Sequence, residues 1–152
     1  MNDPGNASHS SPDHLSIIIH SGYFDHIHYA LVMASAAAAV GRKATLFFTM
    51  KAIRALAQPT SDGPPGWTAL PLSQGDETPI LREQRFKRNG LGTYEELFDA
   101  CPSLGVKFMV CELGLMAEGL TVTDLRDDIT ITPGGVVTFI NQASSTGSML
   151  FI

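Results

Sequence analysis

Apolar residues in this chain fall into short solid blocks, separated by segments where they recur every three or four positions. Buried parallel strands alternating with helices produce that pattern. Leu15–His20 (LSIIIH) predicts the first strand, β-branched and apolar enough to be buried on both faces. Ser21 and Gly22 make the turn. A helix is predicted from Tyr23 or Phe24 through Val40, with Ile27, Leu31, Ala34 and Ala38 on one stripe and Gly41 as its stop. Its alanine-rich second half predicts close packing on a sheet. Ala44–Thr49 (ATLFFT) predicts a second buried strand, and Met50–Gln58 a short helix ended by Pro59.

The regularity lapses from Gln58 to Gly92, a segment with Pro59, Pro64, Pro65, Pro71, Pro79 and the only tryptophan, Trp67. A structureless loop of that length is unusual in a compact domain, so a functional flap or an oligomer contact is expected there. Trp67 is expected to anchor the segment onto the protein's own surface. Regularity returns at Thr93-Tyr-Glu-Glu96, a capping box opening a helix to about Ala100 that stops before Pro102 and Gly105. Val106–Cys111 predicts the third strand, Leu113–Glu118 a short helix, and Thr123–Asp127 a turn. Asp128–Ile131 predicts the fourth strand. Thr132 then caps a helix with Pro133 in its first position, running to about Ala143. Ser148–Ile152 predicts the fifth strand.

The predicted fold is α/β: a three-layer α/β/α sandwich on a mainly parallel five-stranded sheet, flavodoxin-like, with strand order 2-1-3-4-5. One domain, residues 15–152, would follow a disordered polar tail, residues 1–14. The length of 152 residues suits one core.

Composition narrows the classes of function. The chain is 44% hydrophobic and only 16% charged, which leaves room for surface buried in a homo-oligomer. Its net charge of −5 argues against nucleic acid as a partner. The basic cluster Arg82, Arg85, Lys87 and Arg88 reads as a solvated face. The longest apolar stretch, Ile27–Val40, is too short to span a bilayer. The start, MNDPGNASHSSPDH, has neither the basic region nor the apolar core of a signal peptide. Two cysteines, Cys101 and Cys111, without a CxxC spacing suit a reducing compartment, and a cytoplasmic location is expected.

Candidate chemistry gathers where strands end. In the order 2-1-3-4-5 the switch point lies between strands 1 and 3, which would set His20, Ser21 and Gly22 beside Cys111. Cys111 could be a small buried hydrophobe or a presented thiol. A helix starting just after it would favour the thiolate, and Glu112 would oppose it by like charge. Thr132, Gly134 and Gly135 would put a second helix start at the same edge, able to hold an anion. Cys101, in a last helical turn, reads as structural. His20, His26 and His28 are weak metal candidates, because His26 and His28 stand two apart and face different sides of a helix. No GxxxxGK[ST] is present and no GxGxxG follows strand 1, so no cofactor is expected.

The segment LSIIIHSGYFDHIHYALVMASAAAAVGRKATLFFTMKAIRAL resembles the opening of the DsrE/DsrF-like family of sulfur-relay proteins, and LGVKFMVCELGLMAEGLTVTDLRDDITITPGGVVTFINQA is similar to its second half. The stand-alone DsrE-like branch is the closest in pattern. The resemblance implies a three-layer α/β fold assembled as trimers or hexamers. It also implies a cysteine, at the position of Cys111, that accepts sulfane sulfur as a persulfide from a donor protein and passes it to an acceptor. Ser21 and Gly22 match the turn beside it. The expected function is a sulfur carrier or sulfurtransferase-like protein. The alternative is a non-catalytic oligomeric module binding a small molecule or metal. A redox pair of Cys101 and Cys111 ranks last, since the two should lie at opposite ends of the sheet.

Overall fold

A computed structural model describes residues 11–59 and 61–152. Five strands, β1 (His14–Ile19), β2 (Lys43–Phe48), β3 (Lys107–Cys111), β4 (Ile131–Gly134) and β5 (Ser148–Phe151), form one sheet in which every neighbouring pair is parallel. The helices are α1 (Phe24–Ala39), α2 (Pro79–Arg88), α3 (Tyr94–Ser103), α4 (Glu112–Glu118) and α5 (Val136–Gln142), with a long 3₁₀ segment at Met50–Leu56. The expected α/β class with a parallel five-stranded sheet holds.

The strand order does not. It is β4-β3-β2-β1-β5, so β2 lies between β1 and β3, where the sequence predicted β1 beside β3. A parallel crossover is almost always right-handed. Three successive steps in one direction, β1 to β2 to β3 to β4, therefore lay their connections over one face. The return from β4 to β5 lays α5 over the other. The packing shows this division. Phe24, Ile27 and Leu31 of α1 and Phe98 and Cys101 of α3 join Ile17, Ile19, Leu46, Phe48, Phe108 and Val110 in one large core. Phe139 of α5 joins Phe47, Met109 and Cys111 in a second, much smaller one, where the Phe47 and Phe139 rings stack at 4.6 Å.

Several boundaries differ from expectation, each for a local reason. β1 starts at His14, inside the expected tail; the tail reading for residues 1–10 lies outside the described residues. Thr132 and Pro133 belong to β4, and α5 is capped by Gly135. β4 is an edge strand, where proline is tolerated because one side needs no donor. The helix α3 runs past Pro102 to Ser103. Within Gln58–Gly92 the structure forms a 3₁₀ turn at Gly66–Ala69 and the helix α2, capped by the Thr78 hydroxyl with Pro79 at its first position. Trp67 is the expected anchor: it is buried, stacks on Tyr94 at 5.2 Å and donates its ring N–H to Glu95 Oε1 at 2.7 Å.

His28, a weak metal candidate in the sequence, is a core residue. Its Nε2 bonds the Gly92 carbonyl at 2.8 Å, and its ring stacks on Phe86 at 4.3 Å. Burial holds its pKa below the ordinary value of 6.5. The unfolded chain therefore binds a proton near that pH that the folded chain does not, so stability rises with pH up to 6.5 and falls as the solution is acidified below it. Half-buried His14, whose pKa burial also lowers, acts with the same sign. We expect urea midpoints to drop steadily from pH 7 to pH 5, and His28→Gln to show a shallower drop, with His14 supplying the remainder.

Candidate functional site

Strand alternation decides where Cys111 points. Phe108 and Val110 face the large core, so Met109 and Cys111 face α5. Cys111 is the last residue of β3 and the residue that caps α4, and it is only 1% exposed. Its in-register neighbour on β4 is Gly134, which places no side chain beside the sulfur. Glu112, the specific electrostatic concern, is exposed in the first turn of α4.

Cys101 is unlike it. Fully buried in the large core, its thiol donates weakly to the Leu31 carbonyl at 3.5 Å, and burial pushes its pKa up to about 12. The two cysteines belong to different cores on opposite faces of the sheet. A disulfide between them has no path without unfolding.

A cavity lies elsewhere along the same edge. About 740 Å³ in volume, it opens where β1, β2 and β5 end, the real switch point of this strand order. His20, Ser21 and Gly22 line it, as expected of a strand-end site. Cys111, Glu112, Thr132, Gly134 and Gly135 do not, because β2 intervenes between β1 and β3. Thr132 is exposed on β4, and Gly135 caps α5. The expected single crevice is thus two separate places.

Local chemistry sets the cavity walls. Ser21 Oγ and His26 Nδ1 are 2.9 Å apart, and Tyr23 meets the His26 ring edge-on. His20 stacks on Phe151 at 5.6 Å. Gly22 lies so close to the segment after β2 that a Cβ there would come within 2.6 Å of Lys51 Cβ. Met50, in the wall, is the one described non-glycine residue with a positive φ, +49°. That left-handed backbone is uncommon and concentrates at functional positions. The 3₁₀ segment beyond it is tied to α4. Gly114 packs directly on the Met50 amide, and Arg54 Nε donates to Glu118 Oε2 at 2.7 Å.

Sequence reasoning missed Tyr23, Lys51, Arg54, Leu70, Pro71 and Phe151 in this lining. The signal was present for two of them: Lys51 and Arg54 follow the end of β2, and strand ends are where α/β sheets bind ligands. The wrong strand order hid it. Among the described residues no three His, Cys, Asp or Glu side chains gather into a set able to hold a metal ion, so His20, His26 and His28 do not converge.

A family model for the DsrE/DsrF/DrsH-like family matches residues 11–151. The chain belongs to that family. The DsrE-like resemblance seen in the sequence is thereby borne out. Among characterised relatives, the chain is 27% identical over 157 residues to the sulfur carrier protein DsrE2 of Allochromatium vinosum, an alignment covering 91% of this chain and 97% of that protein. Two solved structures share its fold. One is a protein of unknown function, MTH1491 from Methanobacterium thermoautotrophicum, with a TM-score of 0.59 and 11% identity over 91% of this chain and 98% of that one. The other is the ychN protein from E. coli, with a TM-score of 0.55 and 13% identity over 91% and 99%.

On the face that Cys111 occupies, α5 contributes Phe139, which shares a core with Cys111 and is the sole buried side chain of that seven-residue helix. Phe139→Ala should weaken its docking by about 3–5 kcal/mol, the usual cost of emptying a buried aromatic site. With Ellman's reagent on the native protein, Cys111 should label at least tenfold faster in this variant, since about 1.4 kcal/mol already gives tenfold. Cys101 should stay unreactive. Equal acceleration at both thiols would show global unfolding and not release of α5.

Proposed function

We propose that this chain is a cytoplasmic sulfur carrier that holds sulfane sulfur on Cys111. The observation that carries the reading is the position of Cys111 as the last residue of β3, under a single short helix, in a member of a family that includes a sulfur carrier. The Cys111 thiolate attacks the outer sulfur of a donor persulfide, R–S–SH. The donor S–S bond breaks, RS⁻ leaves, and a new S–S bond forms on Cys111. An acceptor thiolate then attacks that outer sulfur, and Cys111 departs as thiolate. Each step is a thiol–disulfide type exchange, so electrons balance without a metal, a cofactor or an external oxidant. The partners are donor and acceptor proteins carrying the matching thiols.

Burial shapes the mechanism. With the whole of Cys111 only 1% exposed, its sulfur does not meet a donor in a static fold. Movement of α5, or docking of a partner against it, must precede transfer. The same burial would shield a loaded persulfide from stray thiols.

A homo-oligomer, trimer or hexamer, is part of this reading. Parallel sheets are normally covered on both faces. Among the described residues the second face carries only α5, on which Val137 is 71% exposed and Ile140 53%. Covering those side chains needs another surface. Among the described residues no helix is long and apolar enough to cross a membrane, so a lipid span does not account for them.

Two outcomes follow. After incubation with a sulfane-sulfur donor, the intact mass should rise by one sulfur atom, and Cys111→Ser should abolish the gain while Cys101→Ser keeps it. No adduct with any of several donors would sink the carrier reading. In sedimentation velocity at micromolar concentration the wild type should run as a multiple of its 16.3 kDa protomer. Val137→Asp with Ile140→Asp should shift it to the protomer with its circular dichroism unchanged; a monomeric wild type removes the oligomer from the proposal.

A further inference from the structure

We propose that β5 is an interface strand. Two copies of this chain pair their β5 edges antiparallel across a two-fold axis at Leu150, which joins their sheets into one. The inference rests on the homo-oligomer proposed above and on no part of the sulfur chemistry. It makes the assembly even-numbered, a hexamer and not a trimer.

The sheet has two edges, β4 and β5, and they differ. An open edge is a template for another chain, and proteins commonly block it with proline, charge or a bulge. β4 (ITPG) carries Pro133, which has no N–H to offer. β5 (SMLF) carries neither proline nor a charged residue. Its register on β1 runs unbroken from Ser148 to Phe151, so no bulge turns it away. Among the described residues no strand lies beyond it.

The pairing with β1 fixes which backbone groups face outward. The Ile152 N–H donates to the Ile18 carbonyl at 2.8 Å, and the Ile152 carbonyl accepts the His20 N–H at 2.7 Å. Successive residues of a strand turn their N–H and C=O to opposite sides. Leu150 and Ile152 therefore serve β1, and Met149 and Phe151 turn theirs away from it. Side chains alternate as well. Leu150 packs on the large core, so Met149 and Phe151 project from the face that carries α5, 45% and 69% exposed. The open edge thus offers free backbone groups and apolar side chains together, on the face where the oligomer already needs cover.

Self-complementarity names the occupant as a second copy. In an antiparallel pair, residues with outward backbone groups meet and exchange both N–H···O=C bonds. With Leu150 on the axis, Met149 of one copy faces Phe151 of the other, and the same pair repeats on the far side of the axis. Each Met149 thioether then meets a Phe151 ring, a favourable sulfur–aromatic contact. A patch that pairs with itself is the isologous kind that closes. Strands of four residues hold no dimer by themselves. Between two trimers, several such pairings act at once, and avidity makes them effective. Loss of the α5 contacts therefore still releases the protomer.

The test is sedimentation velocity of the full chain against Met149→Lys and Phe151→Pro. The first puts a charge on the edge; the second removes an outward N–H and no bond to β1. Each should run at half the wild-type mass with its circular dichroism unchanged. A second measurement fixes the register. The double variant Met149→Cys with Phe151→Cys should cross-link two copies under mild oxidation, because facing Cα atoms stand about 5.5 Å apart. Neither single variant should do so. A wild type that runs as a trimer overturns the edge pairing and leaves the oligomer standing, whereas a monomeric wild type removes both. Unchanged mass in both edge variants, or cross-linking no greater in the double variant than in the single ones, overturns the pairing.

Discussion

Two parallel strands can be joined only by a crossover that packs over one face of the sheet, and its right-handedness lets the direction of travel choose that face. In this chain three crossovers run one way and one runs back. The first three stack α1, the 3₁₀ segment, α3 and α4 on a single side and build nearly the whole core there. The last leaves α5 alone on the other. From that asymmetry follow a thick layer and a thin one, a cysteine under the thin one, and apolar side chains left exposed among the described residues.

The thiol and the cavity lie apart along one edge of the sheet. Cys111 lies beneath α5, and the cavity lies at the ends of β1, β2 and β5. One element touches both regions: α4 begins immediately after Cys111 and ends at Glu118, which holds Arg54 in the cavity wall. Midway along it, Gly114 sits against the strained Met50, where a Cβ would lie 2.7 Å from the Met50 nitrogen. The contact leaves no slack, so α4 and the 3₁₀ segment move together or not at all.

The proline-rich insert belongs to the same construction. It does not hang free: its tryptophan enters an aromatic stack with Phe24 and Tyr94. Glu83 of α2 accepts the Tyr94 backbone N–H, tying the insert to the start of α3. Arg126 lies over Phe98 at 4.4 Å and bonds Glu95, which also receives Trp67. The insert thereby becomes a cavity wall, where composition alone suggested a flap.

Local patterning sufficed for much of this. The β-branched blocks LSIIIH and ATLFFT, the alanine-rich α1, the capping box at Thr93 and the strand ending in Cys111 are set by steric and hydrogen-bonding rules within a few residues, and all form as read. So does the anchoring of Trp67, whose apolar bulk needed a surface. The helix α2 was legible too, in Thr78-Pro79, but proline density obscured it. What local rules could not contain is which strand lies beside which. LSIIIH is apolar on both faces, so it pairs equally well with either neighbour. The choice rests on long-range packing such as Phe47 against Phe139 on one side of β2 and Phe48 against Phe108 on the other. That choice put β2 between His20 and Cys111, turned one expected crevice into a buried thiol and a separate cavity, and brought Lys51 and Phe151, about 100 positions apart in sequence, to the same wall.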